Sequence, residues 1–186
     1  LGMCIRDRKK ITQRDMELLL TKTGTDMGNL RMEMEKLISY TEGRDVVTAE
    51  DIEEICTTQI TNRIFDMVRA VTEKNQKRAL ELYYDLLTLK EPPMRILFLL
   101  AKQYRQLLLA KQFAAAGLAQ TEIASKLGVP GFVVRNITTC ARAYTISELE
   151  QAVKDFVDAE ESVKTGRLED KLSVELLIIK YSSKVK

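Results

Sequence analysis

Only three prolines and eight glycines punctuate 186 residues, and between them apolar side chains recur at steps of three and four. That pattern is the strongest constraint on the fold. Recurrence at this period lays one apolar stripe along each of a series of helices, and helix interiors tolerate few Pro or Gly residues. No alternating run of useful strand length occurs, and no internal repeat or low-complexity tract is evident. Aromatic residues make up 6% of the chain and Trp is absent, so the core must be aliphatic. The expectation is an all-α chain.

Caps and breakers divide it. Asp15 to Lys22 forms a short helix that Gly24 ends. Asp26 caps the next, where Met27, Leu30, Met34, Leu37 and Ile38 recur, and Gly43 is expected to end it. Val46 to Thr48 is extended, and Thr48 with Asp51 starts a third short helix through Ile55 by a capping box. Three short helices bury little surface, so this module, residues 1–58, is expected to lean on a partner or another domain.

A larger helical module, residues 59–186, follows. Ile64, Met67, Val68 and Val71 define its first helix. Asn75 caps the second, with Leu80, Tyr83, Leu86 and Leu87 on one face. Pro92-Pro93 breaks the chain, and Pro93 suits the first turn of the longest and most apolar helix, running to about Ala116. Leu97, Leu100, Tyr104, Leu107 and Leu108 face inward on it, and the width of its stripe makes it central. Gly117 stops it. Thr121 to Leu127 is short, and Pro130 opens a helix carrying Phe132, Val133, Ile137 and Ala141. Leu149, Ala152, Val153, Phe156, Val157 and Val163 make a stripe ending at Gly166. A last helix from about Asp170 carries Leu172, Leu176, Leu177, Ile179 and Tyr181.

Net charge is +2, too small to argue for nucleic acid by itself. Arg6, Arg8, Lys9, Lys10 and Arg14 stand against Asp7 near the start. The stretch to Thr58 is acidic and the remainder mildly basic. An ordinary solvated surface accounts for this, although such asymmetry also orients contacts with neighbouring chains. Cys4, Cys56 and Cys140 are an odd, scattered set and no disulfide framework. Without His or a Cys-x-x-Cys pair, no metal site is expected. A reducing cytoplasm fits best. No apolar run approaches the roughly 20 residues that span a bilayer, and no secretory signal is visible. Leu1 is not an initiator Met, which suggests a fragment.

Catalysis finds no support. His, the common general base at neutral pH, is missing. Glu33 and Glu35, or Glu160 and Glu161, point apart on a helix and do not make carboxylate pairs. Gly24-x-x-x-Gly28 lacks the lysine of a phosphate loop and reads as a tight corner. One binding motif competes. Residues 121–142, with Thr121-Glu-Ile-Ala-Ser-Lys-Leu127-Gly128, look like the start of a helix-turn-helix. Its second helix would have to present polar side chains to base edges. Only Arg135 and Asn136 qualify there, and the alternative is a corner packing Ile123, Leu127, Phe132 and Val133 into the core.

The ordered set of short signatures is more specific than any one of them. It runs Gly24-Thr-Asp-Met-Gly-Asn-Leu-x-x-Glu33-Met-Glu-Lys36-Leu37, Ile64-Phe65-Asp66-Met-Val-Arg-Ala70-Val71, and Pro92-Pro93-Met-x-Ile96-Leu97. Then come Gln103-Tyr104-Arg105-x-Leu107-Leu108-x-x-Lys111, Glu122-Ile123-Ala124-x-x-Leu127 and Asp158-Ala-Glu-Glu-Ser-Val-Lys164-Thr165-Gly166. From about Ile11 to the end this resembles the delta-subunit family of bacterial DNA polymerase III clamp loaders. The resemblance implies a three-helix lid over 1–58, with residues 1–10 the tail of a missing AAA+-like domain or a cloning scar, and a helical collar over 59–186. It implies an accessory, non-catalytic subunit of a DNA polymerase holoenzyme that scaffolds the loader placing the sliding clamp on primed DNA. No cofactor is implied. Partners would be the ATPase and delta-prime subunits through the collar, the sliding clamp only through the missing domain, and DNA weakly or indirectly. No membrane is implied. Arg105, Lys111, Ile178, Ile179 and Tyr181 are the candidate subunit-interface residues. Under the helix-turn-helix alternative, Arg135 and Asn136 would contact DNA.

Overall fold

Helix boundaries follow the caps. The structure is a computed structural model describing residues 9–24, 26–57 and 60–183. Leu1, Cys4, Arg6, Asp7, Arg8 and the expected junction at Thr58 lie outside the described residues. The chain divides into two compact units, Leu1–Asn62 and Arg63–Lys186. Among the described residues there are ten helices and one pair of two-residue strands. No helix among them is long and apolar enough to cross a membrane.

In the first unit, β1 (Lys10–Ile11) leads into α1 (Gln13–Thr23), whose N-terminus is capped by the Thr12 hydroxyl accepting from the Asp15 amide. Gly24 ends α1 at a φ of 78°, a backbone region that favours glycine. The Asp26 carboxylate accepts from the Asn29 amide and starts α2 (Met27–Tyr40). This helix stops at Tyr40, short of Gly43. The Thr41 hydroxyl donates to Leu37 O at 2.7 Å, and the Arg44 amide closes a turn on Thr41 O. Val46–Val47, β2, then pairs in parallel with β1 in the register Lys10 to Val46 and Ile11 to Val47. The Thr48 and Asp51 capping box opens α3 (Ala49–Ile55) as expected.

These elements enclose a core of their own: Leu19, Met34, Leu37, Val47, Ile52 and Cys56. Burial, with the Glu33 carboxylate nearby, pushes the Cys56 thiol up to about 11, which suits an inert core thiol. Lys22 is only 9% exposed. Its ammonium donates to Ile52 O and Glu53 O and meets the Glu53 carboxylate at 2.9 Å. It thus caps the C-terminus of α3, joining the Cys56 amide on Ile52 O and satisfying Glu53 O, at a helix end whose dipole favours a cation.

The second unit takes in α4 (Ile60–Thr72) from Arg63 onward, which buries Ile64, Met67, Val68 and Val71 as its spacing indicates. Asn75 caps α5 (Gln76–Thr88) by accepting from the Arg78 amide. The buried stripe of α5 is Ala79, Leu82, Tyr83 and Leu86; Leu80 and Leu87 are half-buried. Both stripes obey the helical period, and the small Ala79 side faces inward. Pro93 opens α6 (Pro93–Ala115), which buries Ile96, Leu97, Leu100, Tyr104, Leu107 and Ala110. It packs against α7 (Gln120–Leu127), α8 (Gly131–Ala141), α9 (Ile146–Lys164) and α10 (Asp170–Ser182), the central position expected of it.

Three inward faces differ from the sequence reading. On α8 the buried residues are Val134, Ile137, Cys140 and Ala141, while Phe132 and Val133 are half-buried. On α9 Leu149, Ala152 and Phe156 are buried, but Val157 is 58% exposed. On α10 Ser173, Val174, Leu177, Ile178 and Ser182 are buried, whereas Leu172 and Leu176 are 41% and 47% exposed. Helix α10 is apolar around most of its circumference, so its period alone cannot choose a face. Contacts with α5, α6 and α9 choose it.

Candidate interaction surface

An aromatic cluster positions the surface of the second unit from within. The Tyr104 ring of α6 lies 5.0 Å from Phe156 of α9, 5.6 Å from Tyr181 of α10 and 5.9 Å from Tyr144. Such tilted aromatic pairs contribute beyond their buried area. Tyr181 donates its hydroxyl to the Asp155 carboxylate, which also accepts from Gln151 Nε2 at 2.9 Å and pairs with the Lys180 ammonium. Partial burial pushes the Asp155 carboxyl up, but the hydrogen bonds from Lys180, Tyr181 and Gln151 together hold it below its ordinary value. Burial and the Asp155 contact raise the Tyr181 phenol.

The expected interface residues lie at different depths. Ile178 is 2% exposed and sits in the chain's own core. Tyr181 is half-buried with its hydroxyl turned to Asp155. Ile179 is also half-buried. The Lys111 ammonium donates to Ala141 O at 3.0 Å, so it caps the C-terminus of α8 within the same unit. Of the five, only Arg105 is an exposed side chain.

Arg105 does not stand alone. Arg95, Phe98, Lys102 and Arg105 are the exposed positions along most of α6. Their steps of three, four and three align them on one line, opposite the buried line of Ile96, Leu100 and Leu107. Phe98 is 63% exposed. Arg95 meets Glu91 at 3.2 Å, while Lys102 and Arg105 have no ion pair among the described residues. The spacing of Phe98 and Lys102 is present in the sequence, but a single apolar residue on a charged face carries no periodic signal that separates it from the inward stripe.

A second face of opposite character lies on the seam of α5 and α10. Tyr84 is 47% exposed, and its hydroxyl donates to Glu175 Oε1 at 2.7 Å. The exposed Leu172 and Leu176 sit one turn apart on α10 beside that glutamate, and Asp85 and Glu81, the latter paired with Arg78 at 3.4 Å, are exposed on the Tyr84 side of α5. Carboxylates here flank apolar side chains, where on α6 cations flank a phenyl ring.

The helix-turn-helix-like segment is α7 followed by α8, with Gly128 in the left-handed region at a φ of 65°. Arg135 is exposed and Asn136 half-buried; the turn before them is occupied by half-buried Phe132 and Val133 and by buried Val134. A reading helix needs polar groups in those first turns. Among the described residues no cluster of three or more His, Cys, Asp or Glu side chains is arranged to hold a metal ion.

The family model described as DNA polymerase III delta subunit, C-terminal domain, matches residues 61–181. The DNA polymerase III subunit delta of Bacillus subtilis (strain 168) is 27% identical over 173 residues, covering 93% of this chain and 50% of that protein. The probable DNA polymerase III subunit delta of Aquifex aeolicus (strain VF5) is 24% identical over 115 residues, 61% of this chain and 33% of its own. Among solved structures, the Bacillus subtilis DNA clamp loader delta protein (YqeN) superposes with a TM-score of 0.87 at 25% identity, covering 98% of this chain and 54% of that one. The chain spans at most half the length of the curated relatives it matches.

Proposed function

We propose a scaffolding role for this chain, which belongs to the C-terminal domain family of DNA polymerase III delta subunits: it helps assemble the clamp loader that places the sliding clamp on primed DNA. In this reading residues 1–58 act as the lid and 59–186 as the collar, and the chain is an accessory subunit with no catalytic site. Its partners are the ATPase and delta-prime subunits. Contact with the clamp belongs to a part of the delta subunit outside this chain.

The observation that carries the reading is the pair of unlike faces on the second unit. A basic line with an exposed Phe98 runs along α6, and an acidic, apolar seam runs along α5 and α10. A ring of similar subunits uses different patches on its two sides, which is a head-to-tail geometry. Exposed apolar residues rimmed by charge are the usual mark of such contacts. The α8 helix does not favour DNA reading, because its opening turns are largely apolar and packed.

The test is reconstitution. The chain, mixed with the matching ATPase and delta-prime subunits, elutes on gel filtration as a larger species than any component. Elution of each component at its own volume at every concentration sinks the scaffolding role for this part of the protein.

A further inference from the structure

The corner where α6, α7 and α8 meet encloses a cleft of about 410 Å³ that neither the α6 line nor the α5–α10 seam uses. Its floor is apolar: Ala110, Ile123 and Ala141, each at most 3% exposed. Its lining carries two cations, Lys111 and Arg142, and no carboxylate. The Lys111 ammonium gives one hydrogen bond to Ala141 O, which leaves two of its three protons to donate. Arg142 is exposed and has no side-chain partner among the described residues. The Glu148 carboxylate lies within electrostatic reach of Lys111, but it is already held by the amide and hydroxyl of Thr145.

We infer that this cleft binds a short acidic and apolar peptide segment of another protein, seating one apolar side chain on the Ala110, Ile123 and Ala141 floor and a carboxylate at Lys111 and Arg142. Charge complementarity selects the carboxylate: two cations line one concave site with no acid in its lining. The floor selects the neighbouring apolar side chain. The volume falls in the range of small binding sites, roughly 300–1,000 Å³. A nucleic-acid strand fits less well, since backbone binding draws on a row of cations along a groove and on stacking faces. Here there are two cations over alanine and isoleucine. The inference does not depend on the scaffolding role.

The test is a fluorescence-anisotropy titration of the purified chain with fluorescein-labelled Gly-Glu-Leu-Leu-Asp-Leu-Gly-amide. Saturable binding is expected. A control peptide with Gln and Asn for Glu and Asp, and one with Ser for each Leu, should each bind about tenfold more weakly or worse. Arg142→Glu, at an exposed position, should weaken the acidic peptide by at least about tenfold. Ala114→Phe, at the cleft wall, should do the same by filling it. Lys154→Glu, on exposed α9 surface outside the lining, should leave it unchanged. Absence of saturable binding overturns the inference. So does equal binding of the neutral peptide, or indifference to both Arg142→Glu and Ala114→Phe. Displacement of the peptide by a single-stranded oligonucleotide that itself binds more tightly assigns the cleft to nucleic acid and overturns it as well.

Discussion

The hydroxyls of Tyr104 and Tyr144 lie 3.2 Å apart inside the second unit, where Tyr104 is 1% and Tyr144 5% exposed. Each satisfies the other in a core that has few polar groups. Tyr104→Phe should therefore cost about 1–3 kcal/mol, the penalty of leaving one buried hydroxyl without its partner. Tyr104→Ala should cost about 3–5 kcal/mol, because the ring also holds Phe156 and Tyr181. Urea unfolding of both variants checks the order. Equal stability of Tyr104→Phe and the parent would show that the hydroxyl pair contributes nothing.

The same burial sets an alkaline limit. Burial pushes Tyr144 up to about 12 and raises Tyr104 well above its ordinary value, which is about 10. Above pH 10 the unfolded chain loses these phenolic protons while the folded chain keeps them. Stability from this source is thus complete below about pH 10 and falls as pH rises toward the folded values. Thermal unfolding followed from pH 8 to 12 should show a plateau and then a decline. The decline should be shallower in Tyr144→Phe.

In the first unit Lys22→Met should be destabilising by about 1–3 kcal/mol, since it keeps the apolar stem but strands the Glu53 carbonyl and takes from the Ile52 carbonyl its second donor, leaving it the Cys56 amide. Glu53→Gln should change stability by no more than about 0.5 kcal/mol, because the Glu53 side chain is 63% exposed and such pairs are screened. Parallel denaturation curves distinguish helix capping from ion pairing. A larger loss in Glu53→Gln would assign the stabilisation to the salt bridge.

On the outer line of α6, Phe98→Glu and the double reversal of Lys102 and Arg105 to Glu should leave the melting temperature close to the parent's, because the side chains are exposed and Lys102 and Arg105 have no ion pair among the described residues. Both should weaken co-elution with the other loader subunits. Full assembly by both variants would remove α6 from the interface and leave the α5–α10 seam as the surface to test.

Local chemistry was readable along the chain. Asp26, Asn75 and the Thr48–Asp51 box start helices where their side chains suggest, because a cap bonds amides only two or three residues away. Gly24, Gly128 and Pro93 mark ends and starts for equally local reasons. The all-helical class and the central position of the Pro93–Ala115 helix follow from apolar period and breadth. What the period could not decide was the face. Leu172 and Leu176 point to solvent while Ile178 is interior, because α10 is apolar on several sides and only its neighbours select one. The pairing of Lys10–Ile11 with Val46–Val47, the reach of Lys22 to α3, and the hydrogen bond of Lys111 to Ala141 O all join residues distant in sequence. Such contacts depend on how helices are oriented once their apolar stripes meet, and that orientation is a property of packing, which no local spacing contains.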